Sequence, residues 1–250
     1  MEKDEKLLLA LAEDKARQCE IRGSLAHTGF LSLAEQAVLE RAHPRGFFWG
    51  GYEDAERKIL LFLPEWMEAE DALQGEDCPL AVLRVALAKG APALTHRDYL
   101  GSLLALGVER SVAGDILVRE GGADILVLRD MAAFLQQNWT QAGRAALQTE
   151  LLAVSQLRQA ETRAVEKRDT VASLRLDSVL AAMFSLSRGN AQEAVRQGLV
   201  AVNGHLAVKP DSMLSEGDRV SLRGKGKAVL KEVSGKSRKD RDCIVFERFL

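Results

Sequence analysis

An α+β fold is predicted for this chain by three features of its sequence. Apolar residues recur at helical spacing near the start, short apolar runs alternate with helical segments through the middle, and an Asn-Gly dipeptide stands between alternating apolar residues near the end. The 250 residues can bury more than one core, and 28% charged against 47% hydrophobic residues is the balance of an ordinary water-soluble protein. Three units are expected: a mainly helical one over 1–54, an α+β one over 55–160, and one over 161–250 that ends in a β extension.

Residues 5–22 and 32–42 are amphipathic and predict two helices, separated by Gly23 to Phe30. The run HPRGFFWGGYEDAER follows, with Phe47, Phe48, Trp49 and Tyr52 among Gly46, Gly50 and Gly51. Exposed, these rings would form a base-stacking platform; packed, they form an ordinary turn. Apolar strands are then expected over 59–63 and 80–88, flanking a short helix over 65–73. A helix over 96–106, strands over 115–119 and 124–128 around Gly121-Gly122, a helix over 131–139 and a last strand near 147–154 complete a ferredoxin-like or RRM-like middle unit. Thr95 and Asp98 fit a capping box with Asp in place of the usual Glu, which sets His96 and Arg97 in the first helical turn, in a scaffold role rather than an RNA-contacting one. His96-Arg97-Asp98 is not a kinase catalytic loop, because Leu103 stands where the Asn seven residues on is required.

Toward the C-terminus, Leu176, Val179, Leu180, Met183 and Phe184 define one apolar helical face, with Arg175, Asp177 and Ser178 expected elsewhere and Asp177 serving as a charge at the helix start. Ser187 is placed to cap a second helix whose buried side is Ala191, Ala194, Val195 and Leu199 and which Gly198 stops. Arg188, Gln192 and Arg196 are each four apart and fall within an arc of about 80° turned away from the apolar side. That arc is either a solvated face or a polyanion-binding surface, to which the N–H groups of the helix start beside Arg188 would add a phosphate site. In Gly198 to His205 the Asn203-Gly204 pair predicts a two-residue hairpin, since both residues adopt positive φ cheaply; Leu206 and Val208 resume the alternation.

Overall the net charge is only −2, yet residues 163–241 hold 16 Lys or Arg against 9 Asp or Glu, and everything before Arg163 holds 17 against 25. An acidic front and a basic back concentrate polyanion contact at the back. Lys225, Lys227, Lys231, Lys236, Arg238, Lys239 and Arg241 either extend that footprint or solubilise a last hairpin. Cys19, Cys78 and Cys243 are odd in number and widely separated, and are expected as reduced thiols. The opening MEKDEKLLLALAEDKARQCE has an apolar run too short for a signal-peptide core or a membrane span, so no membrane contact is expected. The expected location is cytoplasmic, or stromal after loss of a transit peptide.

Helix, helix and a hairpin reading G-L-V-x-V-N-G, over 174–219, resemble the S4 RNA-binding domain. In that family the helices and adjoining loop present basic and polar side chains to folded RNA, and the resemblance carries this onto Arg175, Ser187, Arg188, Gln192, Arg196 and Lys209. Upstream, THRDYLGSLLALGVERSVAGDILV, preceded by GGYEDAERKILLFLPEW and followed by the S4-like module, is similar to the YlmH family. This second resemblance implies a three-part architecture and binding to the 50S ribosomal subunit. It also implies contact with large-subunit ribosomal RNA and the tRNA of an obstructed nascent chain, in ribosome-associated quality control.

S4 modules also accompany RNA-modifying enzymes, and that alternative is weighed on the residues. A pseudouridine synthase needs an Arg-Leu-Asp segment outside the S4 module, whereas Arg175-Leu176-Asp177 lies within it. A methyltransferase needs a glycine-rich strand-to-helix turn, and both Gly121-Gly122 and Gly224-Lys225-Gly226 read as hairpin turns. His27, His43, His96 and His205 are scattered, with no metal-ligand spacing. The expectation is a monomeric, non-enzymatic RNA-binding protein with no catalytic residue, cofactor or metal; the alternatives are an rRNA-modifying pseudouridine synthase or methyltransferase, and a general polyanion binder. On this reading Arg188 and Arg196 grip phosphates, so Arg188→Ala largely abolishes co-sedimentation with large subunits and leaves the melting temperature almost unchanged.

Overall fold

Ser32 opens the second helix with a complete capping box: its Oγ accepts from the Glu35 N–H, and Glu35 Oε2 accepts from the Ser32 N–H at 2.7 Å. In this computed structural model, which describes residues 2–44, 46–74, 77–158 and 164–249, the chain divides into two compact units, Met1–Ala160 and Glu161–Leu250. The boundary expected between 160 and 161 lies outside the described residues.

The first unit starts with α1 (Glu2–Arg22), β1 (Ala26–His27), α2 (Leu33–Ala42), β2 (Phe47–Trp49) and β3 (Ile59–Phe62). The three strands form one antiparallel sheet in the order β1-β3-β2, so the strand expected to begin the middle unit instead pairs within the N-terminal sheet. Leu39 and Leu60 pack there with Ala12 of α1. The aromatic run is strand, not an open platform. Phe47, Phe48, Trp49 and Tyr52 are all part-buried, and the Tyr52 hydroxyl donates to Asp115 at 2.8 Å. Burial and the Asp115 charge push the Tyr52 phenol well above its usual range.

After α3 (Ala69–Gln74) come β4 (Leu80–Leu87), α4 (His96–Leu104), β5 (Ala113–Arg119), β6 (Gly122–Leu128), α5 (Arg129–Asn138), β7 (Gln141–Ala142) and β8 (Ala145–Leu152). Their antiparallel sheet runs β5-β6-β4-β8-β7, which with the two crossover helices is the ferredoxin-like connectivity. Thr95 caps α4 with the expected reciprocal bonds to Asp98, and Thr95 binding holds the Asp98 carboxyl below its usual range. Tyr99 and Leu103 of α4 and Leu135 and Trp139 at α5 cover one sheet face over Leu83, Val85, Ile125 and Val127. The opposite face carries Leu80, Val82, Leu126 and Leu128, buried against Phe30, Ile59 and Leu61. Removing these side chains from water supplies roughly 1.5–3 kcal/mol each, and it closes the face that an RRM leaves open.

The second unit is β9 (Ala164–Val171), α6 (Leu176–Phe184), α7 (Arg188–Arg196), β10 (Val200–Val202), β11 (His205–Leu206), β12 (Arg219–Leu222), β13 (Gly226–Lys236) and β14 (Asp242–Phe249). Its sheet is antiparallel in the order β11-β10-β12-β13-β14-β9. Leu176, Leu180, Met183 and Phe184 of α6 and Val195 of α7 pack with Val200, Val220, Leu230, Ile244 and Phe246. Asn203 and Gly204 turn the β10–β11 hairpin at φ 51 and 82, and the Asn203 side chain both donates to Asp218 at 2.8 Å and accepts from the Arg219 N–H at 2.9 Å. No described helix is long and apolar enough to cross a membrane.

Candidate nucleic-acid interface

Two short helices and one returning loop build the site. α6 ends at Ser185, which takes the left-handed conformation at φ 55, and Ser187 then caps α7 by accepting the Asn190 N–H at 3.2 Å. Three residues, Ser185 to Ser187, lie between the helices, so the start of α7 comes back toward the start of α6. The loop before β12 wraps that start: the Leu176 N–H donates to the Ser212 carbonyl at 2.7 Å, the Asp177 N–H to the Pro210 carbonyl at 2.8 Å, and Arg175 bridges Met213. Lys209, adjacent to Pro210 and exposed, is thereby held beside the opening of α6.

Asp177 is the centre of the arrangement. Its side chain has no exposed surface and takes bonds from Gln192 Nε2 at 2.6 Å, Arg188 Nε at 3.0 Å and Nη2 at 3.4 Å, and Arg175 Nε at 3.4 Å. Burial alone raises the carboxyl, but the bonds from Gln192, Arg188 and Arg175 and the Arg188 charge outweigh it and lower the pKa to about 2. A carboxylate so engaged is a poor base and a poor nucleophile, so it serves as an anchor. The cations it anchors remain open to water, with 38% of the Arg175 side chain and 51% of the Arg188 side chain exposed.

Of the six residues expected at the interface, Arg175, Arg188 and Gln192 converge on this carboxylate, Lys209 borders it, and Ser187 occupies the helix cap. Arg196 stands apart: it lies two turns further along α7, is 63% exposed, and has Glu193 at 3.7 Å. Arg188 is therefore no free surface cation but a support of a buried charge. The sequence reading gives Asp177 only as a charge at the helix start, off the apolar face, whereas its side chain is fully buried. A signal was present, since Asp177, Leu180 and Phe184 are three and seven residues apart and share the buried side of α6.

A cleft of about 520 Å³ adjoins the cluster, with Ser178, Ser185 and Arg188 on one side and Asp169, Thr170 and Arg241 on the other. Arg241 donates to the Thr170 carbonyl at 2.5 Å, which ties the β13–β14 turn to β9. The other basic residues near this hairpin divide: Lys231 pairs with Glu247 and Lys236 with Asp242, while Arg238 and Lys239 are exposed in the turn. Among the described residues no group of three or more His, Cys, Asp or Glu side chains is placed to hold a metal ion.

Two family models match the chain: "Putative RNA-binding domain in YlmH" over residues 74–156 and "S4 domain" over residues 174–220. The second span contains the whole Asp177 cluster. A solved structure, "Cell division protein ylmH from Streptococcus pneumoniae", is similar at a TM-score of 0.49 and 18% identity, covering 59% of this chain and 90% of that one. The "Ribosome-associated protein quality control protein P2" of Bacillus subtilis (strain 168) is 34% identical over 250 residues, spanning 98% of this chain and 96% of that protein. Similarity of that extent, with both domain matches in the order the fold presents them, establishes that the chain belongs to the YlmH family of S4-domain proteins.

Proposed function

We infer that this protein is a cytoplasmic, non-enzymatic RNA-binding factor that docks on large-subunit ribosomal RNA, near a bound peptidyl-tRNA, in the quality control of obstructed nascent chains. The observation that carries the reading is the clamp on Asp177, which fixes two guanidinium groups at the junction of α6 and α7 while leaving each of them substantially in water. Planar multi-donor cations held in this way are suited to phosphate oxygens and lose little side-chain freedom when they bind. Lys209 and the Ser187 cap border the clamp, and Arg196, two turns along α7, extends the contact beyond it. The Bacillus subtilis relative supports the ribosomal setting through its name.

The test is co-sedimentation of the full chain with purified bacterial 50S subunits carrying a peptidyl-tRNA, compared with Arg196→Glu/Lys209→Glu. Both residues are exposed and outside the clamp, so the fold is unaffected and binding falls at least tenfold. Unchanged binding in that variant would refute the assigned surface. Cross-links to small-subunit RNA alone would refute the assigned subunit.

A further inference from the structure

The segment matched as an RNA-binding domain, residues 74–156, does not offer RNA the surface that such folds ordinarily use. Ferredoxin-like RNA binders stack bases on aromatic rings of an open sheet face. Here β4, β5, β6 and β8 carry no aromatic residue, and Leu80, Val82 and Leu126 are buried under Ile59 and Leu61. On the same face Arg84 closes on the buried Asp124 with bonds of 2.9 and 2.7 Å.

Charge narrows the search. Seven Lys or Arg residues lie between 77 and 156, and four of them are tied into the fold. Arg84 and Arg119 hold Asp124, Arg129 donates to the carbonyls of Cys78 and Leu80, and Arg110 to those of Ala113 and Gly114. The other three are Lys89, Arg97 and Arg144; Arg97, expected from the sequence in a scaffold role, is instead exposed, and it and Arg144 line the same groove of about 490 Å³. One wall is the first half of α4 and the other is the β7–β8 turn. Gly101 and Gly143 both line it, and a Cβ at either would meet nothing within 4 Å, so bare backbone is accessible in the groove. Asp98, the acidic residue in the lining, is committed to the cap: its Oδ2 takes both the N–H and the hydroxyl of Thr95 at 2.7 Å.

We propose that this groove, flanked by Arg97 and Arg144, binds the phosphodiester backbone of RNA, and gives the middle unit a contact of its own beside that of the S4 module. Two exposed guanidinium groups across a gap lined by glycine suit a chain of phosphates, and nothing in the groove is shaped to stack a base. The proposal deepens the RNA-binding reading above and rests on it.

The test is filter binding of the full chain to purified bacterial large-subunit ribosomal RNA from about 50 to about 200 mM salt. Wild type is compared with Arg97→Gln/Arg144→Gln and, separately, with Arg196→Gln/Lys209→Gln. Losing two phosphate contacts lowers the log–log salt slope by about 1.8, so the groove variant loses about tenfold less affinity than wild type across that range. Its melting temperature stays at the wild-type value, because both arginines are exposed. A wild-type slope in the groove variant overturns the proposal and leaves the groove to another occupant, such as an acidic protein segment. If the groove variant alone changes slope, the groove stands and the S4 assignment fails; if wild type binds no ribosomal RNA, both fall.

Discussion

Arg188 Nε lies 3.0 Å from Oδ2 of Asp177, joining a side chain that is half in water to a carboxylate that has no exposed surface. Arg175 and Gln192 complete the clamp. Removing the charge while keeping the shape isolates its contribution. Asp177→Asn leaves two guanidinium groups without their anion and gives Gln192 a partner half as strong, for an expected loss of about 1–3 kcal/mol. All three Trp and both Tyr lie in the first unit, so calorimetry rather than fluorescence is the measurement that follows the second. The transition of the second unit falls by several degrees and that of the first stays in place.

Arg188→Ala and Arg196→Ala separate support from contact. The first leaves a buried carboxylate with one guanidinium, that of Arg175, beside Gln192 and the Ser178 hydroxyl, so it lowers both stability and RNA affinity. The second removes an exposed cation whose nearest acid is 3.7 Å away across one helical turn, a pair that contributes under about 1 kcal/mol. Arg196→Ala therefore weakens RNA binding at constant melting temperature. Calorimetry and filter binding on the two variants check this contrast, and equal melting temperatures would remove Arg188 from the clamp.

Acid sensitivity follows from the same carboxylate. Its folded pKa of about 2 lies below the unfolded value of about 3.9, so the folded state holds fewer protons in between. The stabilisation is complete above about pH 5, and it drains away as the pH falls through the unfolded and then the folded value. The melting temperature of the second unit should decline between about pH 5 and pH 2, and Asp177→Asn, already lower, should decline less. Parallel curves for the two proteins would show that other carboxylates govern the acid response.

How much of this was legible depended on where each residue's partner lay. Thr95 with Asp98, the Ser187 cap and the Asn203-Gly204 turn are set by neighbours within a few residues, and spacing alone located all three. β9 is not given its bounds by the sequence, because five consecutive polar residues, Glu166 to Thr170, fill the middle of AVEKRDTV and most of it is exposed; its strand character comes from pairing with β14, some eighty residues away. The run Phe47 to Trp49 offered rings at a glycine-rich turn, and only the pairing with β3 shows that they pack. At the candidate interface Arg188, Gln192 and Arg196 are readable as a periodic stripe and the burial of Asp177 as a helical spacing, but the bonds of Asp177 to Arg188 and Gln192 are not, since they come from a second helix folded back against its own.

Gly121 and Gly122, which read alike as hairpin residues, are separated by the structure into two physical constraints. Gly121 sits in the turn at φ 75, and a Cβ there would touch nothing. Gly122 is the first residue of β6, opposite Ala86, and a Cβ there would overlap the carbonyl oxygen of Val85 on the central strand β4. Gly121→Ala should therefore cost about 1–2 kcal/mol through backbone strain alone. Gly122→Ala forces β4 and β6 apart where they form the core of the ferredoxin-like sheet, and overpacking of this kind costs up to about 3 kcal/mol. Trp139, buried on α5 against that sheet, reports the loss by fluorescence in urea, with a lower midpoint for Gly122→Ala than for Gly121→Ala. Should the order of the two midpoints reverse, the close approach at Val85 is not what requires glycine at position 122.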